Sequence, residues 1–291
     1  MSVTAIVLIV FAAAAHASWN LMSKQAAQAG AIAFVWLMAA VATVVYAPVA
    51  GIYLAVRRPE LAPRVLVFVA GTAVLHVAYF VLQQRGYRSG DLSLMYPLAR
   101  GTGLLLSSFT AVLLYHEHPG PLGTAGILLV AAGVITLSLP SGGFRIGGGR
   151  SELPVVGFGL ATGLFIASYT LWDAYAVSRG GVPPLLEDAA AFTGQAVLLA
   201  PLAAANAGRV SRLWRDYRRQ VIGAAVLSPL AYLLVLIALV FSPVSSIAPA
   251  REVSVLIGVL LGRRLLGEKG TARRLAAAAA IAAGVTAIVL A

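Results

Sequence analysis

Cysteine is absent from the 291 residues. Disulfide frameworks, zinc–thiolate centres and thiol nucleophiles are therefore excluded. Charge is scarce too, at 11% of residues, where a soluble chain carries about a quarter. A surface so poor in charge does not suit water, so a soluble enzyme, or the two soluble domains that length alone would allow, is ruled out. Acids are the scarcest charged type, 10 Asp and Glu against 21 Lys and Arg, for a net charge of +11. In a soluble chain that excess would suggest nucleic acid. In one this apolar it marks loops lying on anionic lipid, and membrane lipids rather than nucleic acid are the expected partners. No Asp-rich motif, HExxH or GxSxG occurs. An intramembrane lipid-modifying enzyme would need such a metal set or serine nucleophile, so no catalysis, cofactor or metal is expected.

What the sequence has is hydrophobic residues, 60% of the total, with a mean hydropathy of +0.91. A bilayer core needs about 20 apolar residues per helix. That window gives ten spans, at 2–22, 30–56, 65–84, 92–115, 121–139, 154–177, 184–205, 220–241, 245–265 and 272–290. They are long and apolar all round, without the period-two alternation of a membrane barrel, so the expected fold is an all-α polytopic membrane protein. The connections are short and hold turn residues, as in His118-Pro119-Gly120-Pro121 and Gly180-Gly181-Val182-Pro183-Pro184. The first span lacks a basic start and ends in His16, Trp19, Asn20 and Lys24 rather than at a cleavage site. It reads as a permanent helix, not a signal peptide.

A glycine-dense stretch, Pro140 to Pro154, falls near the middle of the chain and prompts a search for a repeat. A shift of 151 places 98–139 on 249–290 without a gap, with 11 identities in 42 positions. The informative matches are Arg100 on Arg251, Glu117 on Glu268, Gly133 on Gly284 and Val134 on Val285. A shift of 153 brings Trp19 onto Trp172, Asn20 onto Asp173 and Tyr79 onto Tyr232. The expected organisation is a first five-helix repeat at 1–139, a Gly-rich linker at 140–153 and a second repeat at 154–291. An odd number of helices per half makes the copies inverted, which points to a transporter with its substrate site between them near the midplane. Fifteen Lys and Arg fall in loops and helix ends on one side and four on the other, which by the positive-inside rule would place both termini outside.

Ionisable and polar groups inside the spans are the candidate site residues. The first helix carries His16, Asn20 and Lys24 at spacings of four, with Trp19 beside them; the matching helix of the second half carries Tyr169, Trp172 and Asp173. Helix three adds His76 and Tyr79, helix four Tyr96, and helix eight Tyr232. Arg100 and Arg251 each follow a proline inside a span, and a guanidinium there must meet an anion, a carbonyl or water. For at least one of the two, the simpler role is structural. The aromatics suit a substrate that is part apolar and part charged, though they serve equally as links between helices. Glu252 lies about 100° round the helix from Arg251 and is not its obvious partner. Gly103, Ser107 and Ala111, aligned with Ser254, Gly258 and Gly262, suggest close packing of helices four and nine. Glu117, between His116 and His118, recurs without its histidines and suits a helix boundary better than a metal. Arg209, Arg212, Arg215 and Arg218, interleaved with Trp214 and Tyr217, form an interfacial segment for lipid headgroups. Glu187 and Asp188 open a helix, where acids favour the dipole.

Ten helices in two such repeats, each closing with Glu and then Gly-Val, resemble the drug/metabolite transporter superfamily, EamA type. His16-Ala17-Ser18-Trp19-Asn20 and Ser168-Tyr169-Thr170-Leu171-Trp172-Asp173 are similar to the opening helices of its repeats. The resemblance implies a multi-pass protein of a bacterial inner (cell) membrane, a secondary transporter that exports amino acids, metabolites or drugs through a central cavity. It also implies cytoplasmic termini, against the loop charges. The first-helix glutamate of the small multidrug relatives is missing, which disfavours cationic drugs. The expected substrate is a small organic anion or zwitterion such as an amino acid, met by Arg100 or Arg251, with any amine on Asp173 and the apolar body on Trp19, Tyr79, Trp172 and Tyr232. Proton coupling would use His16, His76 or Asp173, and a monomer would suffice. A lipid-linked sugar flippase of the same fold is the alternative.

Overall fold

The structure, a computed structural model, describes residues 3–26, 29–89, 92–138, 153–252, 254 and 272–291. Most of the linker at 140–153, the ninth span beyond residue 254, and Glu268, Gly258 and Gly262 lie outside the described residues, as do the side chains of Lys24 and Tyr96. The described residues form ten helices: α1 (Val3–Ala26), α2 (Ala31–Arg57), α3 (Val65–Ser89), α4 (Leu92–Leu114), α5 (Gly120–Ser138), α6 (Leu153–Ser178), α7 (Pro184–Ala204), α8 (Ala207–Phe241), α9 (Val244–Ala250) and α10 (Ala272–Leu290). Among the described residues, six are long and apolar enough to cross a membrane, namely α1, α2, α3, α6, α7 and α8. Large side chains such as Val44 and Leu66, 75% and 73% exposed, cover the outer faces. In lipid such a surface carries no hydrophobic penalty.

Local chemistry sets the helix ends. α2 begins after Gly30, whose φ of 130° a side chain would not tolerate, and ends at Arg58 in the left-handed region, whose N–H reaches the Leu54 carbonyl. Pro184 opens α7 where its missing N–H leaves nothing unsatisfied. The expected interfacial segment is continuous with the eighth span in α8. Tyr217, at φ −128° and ψ 22°, breaks the regular backbone there and divides the helix into two rods. On the first rod Leu213 is buried while Arg209, Arg212 and Arg215 stay exposed.

α1 lies along α8, α3 along α6, α2 along α7 and α5 along α10, with α4 against both α5 and α6. Backbones approach closely where small residues meet. A Cβ on Gly126 would lie 2.7 Å from the Gly284 carbonyl oxygen, and one on Gly284 equally close to the Gly126 oxygen. In the small-residue stripe of α4, Gly103 packs on Ile166 and the Gly163 carbonyl of α6, and α4 also contacts α9; Gly258 and Gly262 of the expected partner stripe lie outside the described residues. Aromatic donors fasten helices through main-chain oxygens: Trp36 to Ala196 at 3.1 Å, Tyr46 to Val226 at 2.7 Å, Tyr115 to Leu171 at 2.6 Å and Trp172 to Phe68 at 3.1 Å. Glu117 does serve a helix boundary, that of α9. Its two oxygens accept the N–H groups of Val244 at 3.0 Å and Ser245 at 2.8 Å, satisfying donors that the first turn leaves open.

The α5–α10 contact predicts that Gly126→Val and Gly284→Val each lower stability by about 1–3 kcal/mol, since the clash is with backbone. Gly51→Ala, with nothing within 4 Å of its Cβ, should leave the melting temperature in detergent within error. Thermal unfolding of the three variants checks this, and an unchanged Tm for Gly284→Val would contradict the packing.

Candidate functional site

Two adjoining hollows lie among α1, α3, α4, α6 and α8. One is lined by His16, Arg100, Tyr232 and Arg251 with small residues of α1 and α8. The other, the larger of the two, is lined by His16, Trp19, His76, Tyr79, Phe80, Tyr169, Phe192, Ser228, Tyr232 and Arg251. Eight of the twelve candidate residues therefore border these spaces, and His16, Tyr232 and Arg251 border both. Helical spacing makes this possible, since positions three and four apart share a face: His16 with Trp19, His76 with Tyr79, and Ser228 with Tyr232.

The other four stand elsewhere. Asn20 donates to the His16 carbonyl at 2.9 Å within α1. Trp172 lies against Gly71 and donates its indole N–H to the Phe68 carbonyl. Asp173 is fully buried beside the larger hollow, where its Oδ2 meets His76 Nε2 at 3.0 Å and accepts the Tyr232 hydroxyl at 2.5 Å. The side chain of Tyr96 lies outside the described residues.

The two arginines have different fates. Arg100, 3% exposed, sits 3.0 Å from one Glu252 oxygen through Nη2 and donates Nε–H to the other at 3.3 Å, with Ser254 Oγ at 3.5 Å. This two-point match of guanidinium to carboxylate neutralises a charge that the membrane interior disfavours. Glu252 is the functional neighbour that the sequence did not reveal: it answers the arginine of the other half, 152 positions away. Arg251 has no such partner. It is 8% exposed, its side chain has no hydrogen bond or ion pair among the described residues, and its guanidinium carbon lies 5.7 Å from the Tyr232 ring centroid. The repeat alignment gives the cause, because the position matching Glu252 in the first half is Gly101. One signal was available in the sequence: an acid beside one repeat arginine and a glycine beside the other.

Aromatic rings wall the larger hollow. His76 and Tyr169 centroids are 4.4 Å apart, Tyr79 and Tyr169 5.1 Å, and Tyr169 and Tyr232 5.7 Å. Trp19 donates its indole N–H to His16 Nδ1 at 3.1 Å. That leaves the proton of a neutral His16 on Nε2. The site therefore offers a cation that forms no ion pair among the described residues, several ring faces, and hydroxyl and imidazole groups that can give or take hydrogen bonds.

The ion pair generates a double-mutant test. Arg100→Met strands the Glu252 carboxylate and should cost about 3–5 kcal/mol, whereas Arg100→Met combined with Glu252→Leu should recover most of that loss. Unfolding in detergent decides it; additive losses would show that the two side chains do not act as a pair.

Comparison with known proteins adds the following. Residues 3–139 match the EamA-like transporter family. A solved crystal structure of a protein shares the architecture, with a TM-score of 0.74 at 17% identity over 100% of this chain and 98% of that one. No curated protein matches the chain. The solved structure, at that identity, carries the fold alone, and its coverage extends the likeness past residue 139 to the second half. Residues 3–139 thus carry the match to the EamA-like transporter family, within the drug/metabolite transporter superfamily, and the chain, with six helices long and apolar enough to cross a membrane among its described residues, is a multi-pass membrane protein.

Proposed function

We propose that the protein is a secondary carrier exporting a small organic solute with an acidic group, an amino acid or similar zwitterion or anion, by alternating access of two inverted five-helix repeats. The observation that carries this is Arg251, a buried guanidinium that forms no ion pair among the described residues and borders both hollows. An arginine in a low-dielectric space stabilises an incoming carboxylate by charge and by two parallel N–H donors. The neutralised Arg100 borders one hollow and serves as a wall. Trp19, Tyr79, Tyr169 and Tyr232 receive the apolar part of the solute.

The packing supports the repeat arrangement: α2 with α7 and α5 with α10 pair like with like, while α1 on α8 corresponds to α6 on α3 when the halves are exchanged. Such a relation lets one half rock against the other around a fixed site.

The test begins with an untargeted comparison of medium metabolites from cells with and without the protein. Counterflow in proteoliposomes follows, with a labelled mixture of proteinogenic amino acids. A lost charge-assisted contact is worth about 1.5–3 kcal/mol, so Arg251→Ala should lose on the order of tenfold or more in uptake. Trp172→Phe should retain transport near the wild-type rate. Wild-type uptake by Arg251→Ala would remove the basis of the assignment.

A further inference from the structure

Acids are rare in this chain, yet Asp173, Glu187, Asp188 and Glu252 are all buried, the first three at 0% exposure. Glu252 has Arg100. The other three gather where α6 passes the start of α7, and they have almost no donors. Among the described residues, Asp173 Oδ1 and all four carboxyl oxygens of Glu187 and Asp188 lack one. The Glu187 carboxyl nevertheless stands within hydrogen-bonding reach of Asp173. An ionised carboxylate only accepts, so two of them side by side repel unless a proton lies between them. Burial in the membrane interior sharpens that demand.

Glu187 and Asp188 are therefore more than first-turn acids favoured by the helix dipole. A dipole places partial charge near α7's start, but it does not supply the missing donors. The groups facing the cluster are known. His76 comes from α3, Tyr169 from α6 and Tyr232 from α8. Tyr46 of α2 interacts with Asp188 electrostatically while its hydroxyl donates to the Val226 carbonyl. Arg251 stands beyond the Tyr232 ring, and among the described residues no Lys or Arg pairs with any of the three acids.

We propose that Asp173 and Glu187 share a bound proton, with Asp188 beside them, and that this cluster is the coupling-ion site of the carrier, exchanging its proton with the larger hollow through His76. The coupling role rests on the transport reading; proton binding does not. His76 is suited to the exchange because its ring borders the hollow and its Nε2 lies 3.0 Å from Asp173. Tyr232 joins the two sites, bonded to Asp173 on one side and stacked under Arg251 on the other. A solute carboxylate arriving at Arg251 thus alters the field at the proton pair. The aligned position in the first half is Asn20, so the device belongs to the second half alone.

The full chain in lipid nanodiscs provides the test. Infrared spectra at neutral pH should show a protonated-carboxyl C=O band that loses one carboxyl's intensity in Glu187→Gln. The melting temperature of that variant should hold or rise, since the amide donates where the shared proton lay. Asp173→Asn should lose the same intensity, giving a second route if either variant folds poorly. The absence of the wild-type band, or its survival in both variants, overturns proton binding. In vesicles holding an internal pH dye, the labelled amino-acid mixture should drive proton movement in wild type. Glu187→Gln should abolish that movement while counterflow continues; undiminished movement overturns the coupling role. A wild-type band without any transport would defeat the carrier reading and the coupling role together, and would leave proton binding standing.

Discussion

A guanidinium buried in a membrane protein must be answered, and the pairing of Arg100 with Glu252 is the answer on which this site is organised. It ties α4 to the backbone that follows α9 across 152 positions. It also uses up the one acid that adjoins Arg251 in sequence. Had the first half carried an acid in place of Gly101, both repeat arginines would have a matching neutraliser and the centre would be a closed network. The substitution of a glycine at one of two equivalent positions converts a structural pair into one structural and one available cation. Asymmetry between similar halves, rather than any single motif, generates the functional potential.

The aromatic residues divide along the same line. Trp36, Tyr46, Tyr115 and Trp172 spend their donors on main-chain oxygens of neighbouring helices. In lipid, where no hydrophobic force presses helices together, such bonds and the close approach at Gly126 and Gly284 supply adhesion. Trp19, Tyr79, Tyr169 and Tyr232 bond side chains or stack on one another around the hollow. Trp19 and Trp172 align in the repeat yet fall in different groups, because the helix facing Trp172 offers a glycine, Gly71, that admits the ring.

Hydropathy and helical spacing revealed most of the helices and most of the residues around the hollow. The reason is physical: in lipid a long apolar run has few alternatives to a helix, and a polar group within it has few places to point. Neighbours were harder to read. Position on a helix fixes a face, not what that face meets. Glu252 was therefore judged only against Arg251 beside it, and the contact of Gly103 with α6 was not foreseen. Glu187 and Asp188 looked like ordinary first-turn acids, since burial against neighbouring helices is invisible in a sequence that places them beside Pro183 and Pro184. The bend at Tyr217 has no proline or glycine to announce it.

Glu117 holds the first two N–H groups of α9 from the corner between α4 and α5, and α9 leads within a few residues to Arg251. Two carboxylate bonds thus harness the cation of the site to a distant bend in the other half. Any tilt of α9 large enough to re-aim Arg251 either drags that bend along or lets go of it. The aim of the arginine is in this way geared to a segment that borders neither hollow.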